Sequence, residues 1–172
     1  MIEGLPIITD RLILNEWSEA DAPFLLQLMN TPGYKKYIGD RGVDTEQKAA
    51  DYIRTKLIPS YEHEGFGFYI ARLRHMDFPI GLVGMVQRDV LDLPDLGFAF
   101  LDEYWGMGYA EEACRGVMDH AANELLISTL QAVTTDENTA STKLLVKLGF
   151  RKLHTMSWYD TTEVSLFECD LD

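Results

Sequence analysis

The stretch that most constrains this 172-residue chain is Phe98-Ala-Phe-Leu-Asp-Glu-Tyr-Trp-Gly-Met-Gly-Tyr-Ala-Glu-Glu-Ala113. An apolar strand runs into a turn holding Gly106 and Gly108, and a helix starts at once. Glycine has no Cβ, so the backbone can come close to a ligand there. The first turn of a helix has N–H groups without helical partners, and its dipole favours negative charge. Strand, glycine turn and helix start, in that order, make a nest for a phosphate-bearing ligand. A Walker loop is excluded, because no Gly-Lys-Ser or Gly-Lys-Thr occurs. A dinucleotide fingerprint needs a third glycine at position 111, which is Glu111, and downstream strand–helix repeats that are missing. Taken alone, a G-x-G is no more than a glycine turn before a helix, so its surroundings decide.

The chain has the length of one domain, spanning 1–172, with room for a real core. Hydrophobic residues make up 47% and charged residues 25%, as expected of a folded soluble protein. No apolar run is long enough to span a bilayer, and none has the flanks of a signal peptide, so a cytoplasmic protein is expected. Cys114 and Cys169 lack metal-ligand spacing and read as core thiols. The four histidines (His63, His75, His120, His154) suggest neither a metal site nor a triad, so no metal is expected. Formal net charge is −13, which argues against nucleic acid as a partner. It would attract a cationic acceptor such as a polyamine or basic peptide, although solubility alone also accounts for it.

Residues 8–16 read as a first strand. Ser18 with Asp21 signals a helix start, and the apolar spacing of Leu25, Leu28 and Met29 carries the helix to Asn30, where Pro32-Gly33 stops it. Asp44 with Gln47 reads as a second cap, followed by Ala49, Ile53 and Leu57 on one face until Pro59. Strands are expected over 67–74, 80–91 and 95–101. After the glycine loop, Ala110, Ala113, Cys114, Val117, Met118, Ala121 and Leu125 recur at helical steps. A short strand follows over 130–135. Asn138 opens another helix, closed by Gly149, and 150–159 with 163–171 form a last antiparallel pair. This order gives an α+β fold with a mostly antiparallel sheet.

Three motifs now stand in sequence. Thr9-Asp-Arg-Leu-Ile-Leu14 is similar to T-x-R-L-x-L. Tyr104-Trp-Gly-Met-Gly-Tyr-Ala110 is similar to Y-W-G-x-G-Y-A. Glu137-Asn-Thr-Ala-Ser-Thr-Lys-Leu-Leu-Val-Lys-Leu-Gly-Phe150 is similar to E-N-x-x-S-x-x-x-x-x-K-L-G-F. Together they resemble the GNAT acetyltransferase superfamily, in the branch of the ribosomal-protein N-terminal acetyltransferases, over nearly the whole chain. The resemblance implies a three-layer fold with a splayed sheet and helices on both faces. It also implies transfer of an acetyl group from acetyl-CoA directly to a primary amine, either a small amine or a protein N-terminus.

The resemblance places cofactor contacts on Phe98, Ala99 and Phe100, whose backbone would pair with pantetheine, and on Gly106, Met107, Gly108, Tyr109, Ala110 and Glu111 around the pyrophosphate. Trp105 departs from the Gln or Arg usual at the head of the pyrophosphate loop, which leaves the phosphates to backbone N–H groups. Asn138 is implied near the pantetheine arm; its plainer role is a helix cap. Leu145 stands where many members carry the tyrosine that protonates the leaving thiolate. Ser141 is the substitute in this branch, against a plainer role as a first-turn helix residue. Asp95, two residues before Gly97, matches the place of a general base, against a plainer role in the turn after Pro94. Cys114 sits mid-helix and is a poor nucleophile. A competing reading is a non-catalytic acyl-CoA-binding module. The acceptor amine, and whether the protein is a monomer or a homodimer, are not legible.

Overall fold

The computed structural model describes residues 4–172. Eight strands form one sheet in the order β1-β2-β3-β4-β5-β6-β8-β7. They are β1 (Ile7–Ile8), β2 (Leu12–Glu16), β3 (Phe68–Leu73), β4 (Phe78–Val86), β5 (Asp95–Phe100), β6 (Thr129–Thr134), β7 (Arg151–Trp158) and β8 (Thr162–Asp170). Every neighbouring pair is antiparallel except β5–β6. Helices α1 (Ala22–Met29), α2 (Pro32–Tyr37), α3 (Glu46–Tyr52) and α4 (Ile58–Glu64) lie between β2 and β3. The long helix α5 (Tyr109–Asn123) connects β5 to β6, and α6 (Thr139–Lys147) connects β6 to β7.

Two buried clusters make this a three-layer molecule. Leu12, Leu14, Val83, Leu96 and Phe100 of the sheet pack with Cys114 and Val117 of α5 and Leu145 of α6. On the other face, Ile70, Leu82 and Ala99 pack with Leu25, Leu28, Ala49 and Ile53 of the early helices. The alternation of β5 sets this up: Leu96 and Phe100 face α5, whereas Ala99 faces α1–α3. The α+β fold expected from the sequence, a mostly antiparallel sheet with helices on both faces, is the fold observed.

Local expectations differ in five places, one being the strand expected over 80–91, which is β4 and ends at Val86. The first strand is broken at Thr9, whose N–H and side chain turn back to Leu12, so a short hairpin replaces one long strand. Pro32-Gly33 does not only end a helix; it begins α2, with Pro32 in the first turn and Thr31 accepting from the Tyr34 N–H. The cap of α3 is Thr45, which accepts from the Lys48 N–H, while Asp44 pairs with the Lys48 ammonium at 2.7 Å. Pro59 does not stop the helical run. The chain widens to a π turn over Ile53–Leu57, and Pro59 falls in the first turn of α4, where the helical run continues without its N–H. The run ends at Gly65, left-handed at φ +79°.

Candidate active site

The parallel pair β5–β6 is the opening in the sheet. It shares one register pair, Asp95 with Gln131, and one flanking bond, from the Gln131 N–H to the Pro94 carbonyl at 2.9 Å. Beyond Asp95 the strands diverge toward their C-terminal ends. The Leu101 N–H bonds the Ile80 carbonyl of β4. By strand alternation, the backbone groups of odd residues from Asp95 to Leu101 point to β4, and those of Leu96, Phe98 and Phe100 point into the opening. Of the three strand positions expected to contact pantetheine, Phe98 and Phe100 therefore turn backbone to the gap. Ala99 turns its backbone to the sheet. The Phe100 carbonyl is already taken, accepting from the Trp105 indole N–H at 2.9 Å.

The glycine loop stands at the mouth of the opening. Gly106 and Gly108 have φ of +76° and +84°, a conformation that L side chains rarely adopt. Gly108 is the N-cap of α5 and has no side chain, so the N–H groups of Tyr109, Ala110 and Glu111 receive no side-chain cap from it. A Cβ at Gly106 would meet nothing within 4 Å, so the loop faces open space. The two carboxylates in this first turn are held aside. Glu111 bonds Lys147 and Arg115, each at 3.0 Å, and these two cations hold its carboxyl below the usual range. Burial works to raise the Glu112 carboxyl. Bonds from the Thr9 hydroxyl, the Arg11 N–H and the Arg11 guanidinium overcome that and hold it low. A nest of free N–H groups with its own acids neutralised fits a pyrophosphate.

The sequence did not reveal what Thr9 and Arg11 do. Thr9 and Arg11 grip Glu112 at 2.6 to 2.7 Å. Arg11 also donates to the Met107 carbonyl at 3.0 Å, and its guanidinium lies 4.2 Å from the centre of the Tyr109 ring. The T-x-R pattern thus ties the glycine loop to the hairpin at the edge of the sheet. Trp105, a departure from the usual residue, makes the second tie. Besides bonding Phe100, it lies so close to α2 that a Cβ at Gly33 would come within 2.4 Å of its ring, and the Gly33 N–H donates to Asp102 at 3.2 Å.

Asp95 is in β5 rather than in a turn, only 3% exposed, at the base of the opening. It shares its side-chain parity with Ala99 and so faces α1–α3. Burial raises its carboxyl to about 6, against the pull of Arg88, whose Nε is 3.2 Å away. Asn138 caps α6 by accepting from the Ser141 N–H at 3.1 Å. Its carboxamide N–H₂ is not used in that bond. Ser141 is half-buried in the first turn of α6, which follows β6 as α5 follows β5, so both helix starts border the same opening. Leu145 is 1% exposed within the α5-side core, where it offers no proton. Cys114 is fully buried, and burial pushes its thiol up, away from a thiolate.

A surface groove between Thr9-Asp10 and α5 lies away from the opening in the sheet. A splayed parallel pair, a glycine nest over one helix and a second helix start opposite are the marks of one architecture. A family model for the acetyltransferase (GNAT) domain matches residues 11–151. The chain belongs to the GNAT acetyltransferases. It is 28% identical over 150 residues to an uncharacterized N-acetyltransferase, YoaA, of Bacillus subtilis, covering 86% of this chain and 84% of that one. Among solved structures it is similar to RimL, a ribosomal L7/L12 alpha-N-protein acetyltransferase in complex with coenzyme A, with TM-score 0.83, 16% identity and 98% of each chain covered. The ribosomal-protein-S5-alanine acetyltransferase of Vibrio fischeri aligns with TM-score 0.80 and 16% identity over 96% of each chain. At these identities the likeness is one of fold. No helix among the described residues is long and apolar enough to cross a membrane.

Proposed function

We propose that this acetyltransferase moves the acetyl group of acetyl-CoA directly to a primary amine, with both substrates bound at once on opposite sides of the β5–β6 opening. The observation that carries this reading is the single-pair contact of β5 and β6, with the glycine nest at its mouth and buried Asp95 at its base. Acetyl-CoA supplies an activated thioester. The N–H groups of residues 106–111 and the dipole of α5 hold its pyrophosphate, and the backbone of Phe98 pairs with the pantetheine arm in the manner of an added strand. Asn138, beyond its cap, has a donor left for that arm.

Asp95 takes the proton that the amine must lose. A carboxyl near 6 is ionised at neutral pH yet basic enough to accept a proton, which suits a general base. The amine nitrogen bonds to the carbonyl carbon, the carbon–sulfur bond breaks, and the sulfur takes a proton from Ser141 or from water behind it. Cys114 is not needed as a relay, because direct transfer uses no enzyme nucleophile. The rival reading, an acyl-CoA-binding module without turnover, rests on Trp105 and Leu145. A buried base and an unused hydroxyl at the opening favour turnover. Thiol release from acetyl-CoA across a panel of amines tests the reading. Amine-dependent release is expected, and release no faster than hydrolysis with every amine would leave only the binding module.

A further inference from the structure

A cation with unused donors stands at the base of the opening, in a molecule that is acidic as a whole. Arg88, in the loop between β4 and β5, gives its Nε to Asp95, while its guanidinium carbon lies 5.3 Å from the centre of the Trp158 ring at the end of β7. It therefore spans the opening, from the β1–β5 half of the sheet to the β6–β8–β7 half. Among the described residues its two terminal nitrogens have no carboxylate partner, although Asp89 and Asp92 share its loop. A guanidinium offers five N–H donors, and Asp95 engages one of them.

Gln131 completes the picture. It is the register partner of Asp95, and parallel strands put paired side chains on the same face. Its side chain is 94% or more buried, its Nε2 donates to Glu168, and its Oε1 is buried without any donor. A buried acceptor without a donor is costly unless something supplies the missing N–H. Asp95 and Gln131 thus offer two acceptors side by side at the base of the opening. Arg88 offers unclaimed donors beside them.

We propose that the acceptor is an amine that carries a carboxylate near it, with the amine held by Asp95 and Gln131 and the carboxylate by Arg88. Free acidic amino acids and peptides with an acidic residue near the N-terminus share this chemistry. Polyamines and basic peptides, which the overall charge of −13 would draw, lack it. The inference rests on the acetyl-transfer reading for its kinetics and not for its binding geometry.

The test compares matched acceptors in the full chain with acetyl-CoA. Aspartate, glutamate and a Ser-Asp-Gly peptide are set against their amides, Ser-Lys-Gly and spermidine. We expect kcat/KM for the carboxylate acceptors to exceed that of their amides by at least about tenfold, as loss of one charge-assisted pair implies. Arg88→Gln, which keeps a donor for Asp95, should collapse that ratio toward one while coenzyme A binds as before. Free amino acids and peptides differ in rank according to which is the natural source. Preference for spermidine or Ser-Lys-Gly, or a ratio unmoved in Arg88→Gln, overturns the proposal. If no amine is acetylated, the transfer reading fails instead. Quenching of tryptophan fluorescence by aspartate and the acidic peptide, in the parent with coenzyme A, then decides the proposal. Binding lost in Arg88→Gln upholds it, and no binding overturns it. Arg88→Lys, a second variant that keeps the charge, should restore most of the ratio and so separates recognition from folding.

Discussion

The two sides of the β5–β6 opening are built in different ways. On the cofactor side, main-chain N–H groups at the start of α5 face outward, and side chains serve to fix that backbone: Arg11 on Met107 and Glu112, Trp105 on Phe100. On the proposed acceptor side, the groups at the opening are side chains, Asp95, Gln131 and Arg88, standing on strands and a loop. A backbone nest reads a phosphate whatever the residues are, provided that two positions are glycine. A side-chain constellation reads only the ligand that its own residues match.

The comparison breaks most sharply at Gly108. Its φ of +84° strains any other residue, and a Cβ there would lie 3.3 Å from the Arg11 guanidinium. Strain of about 1–3 kcal/mol, added to a blocked approach to the N–H groups, should weaken coenzyme A binding on the order of a thousandfold in Gly108→Val. Calorimetric titration of coenzyme A measures it. The acceptor constellation should be untouched, because it is anchored on other elements. Binding at the parental affinity would move the phosphate site elsewhere.

Asp95→Asn and Ser141→Ala act next, on rate rather than on cofactor affinity. In the parent, kcat/KM should rise with pH through about 6 as Asp95 ionises, and Asp95→Asn should lose that limb along with about 10²-fold in rate. The same group leaves a mark on stability. Its folded pKa is raised, so between the ordinary carboxylate range and about 6 the native state binds a proton that the unfolded state does not. Stability then falls as pH climbs through that window. Melting curves from pH 4 to 7 should show this slope in the parent and not in Asp95→Asn. For Ser141→Ala we expect a loss at the lower end of the about 10²–10⁴-fold range of acid–base catalysis, because a thiolate already leaves well. Parental rates in both variants would leave proton transfer to water.

How much of this was legible in the sequence differs between the two sides in the same way. The glycine loop is local, so Gly106, Gly108 and the α5 periodicity announce it within sixteen residues. Asp95 and Ser141 were singled out only through the family resemblance and not by any local pattern of their own. The ties that hold the loop are not local. Thr9 and Arg11 form a visible pattern, yet their partner Glu112 is about a hundred residues on, and nothing in either stretch names the other. The meeting of Arg88 with Trp158 is hidden for the same reason. Helix punctuation misled where tertiary packing overrode it. Pro59 reads as a stop, but burying Ile53, Leu57 and Tyr61 along one run outweighs one missing N–H. Net charge and local constellation point to different acceptors, since a sum over 172 residues says little about a few side chains at one site.

Arg11→Met sharpens the cofactor side. It keeps the apolar stem and removes the bonds to Glu112 and Met107, leaving Glu112 half-buried with the Thr9 hydroxyl and the main-chain N–H of residue 11. The Glu112 carboxyl then loses one of the groups that hold it low, and its charge bears more directly on the nest. Coenzyme A affinity should fall about tenfold, with a larger deficit at low salt, where the unscreened carboxylate repels the phosphates more. Titration at two ionic strengths measures both. An equal loss at both would point to loop disorder instead of charge.

Trp105→Phe carries the smallest expected effect and bears on where the two sides meet. Trp105 is half exposed, yet its ring fills the space beside Gly33 of α2 and its N–H closes the Phe100 carbonyl. Phenylalanine keeps part of that ring contact and gives up the hydrogen bond. Losing one such bond costs about 1 kcal/mol, so the melting temperature should drop by a few degrees. The consequence for the cofactor depends on what the freed carbonyl does. It points into the opening, where a pantetheine amide could use it. If the indole only satisfies a group that the cofactor never reaches, coenzyme A affinity should change by less than about threefold, as we expect from Phe98 carrying the pairing. A tenfold gain would instead mean that Trp105 competes with the cofactor for Phe100. The residue that departs from the usual loop would then be a brake set by the acceptor-side helix α2, and the two sides would be coupled through one side chain.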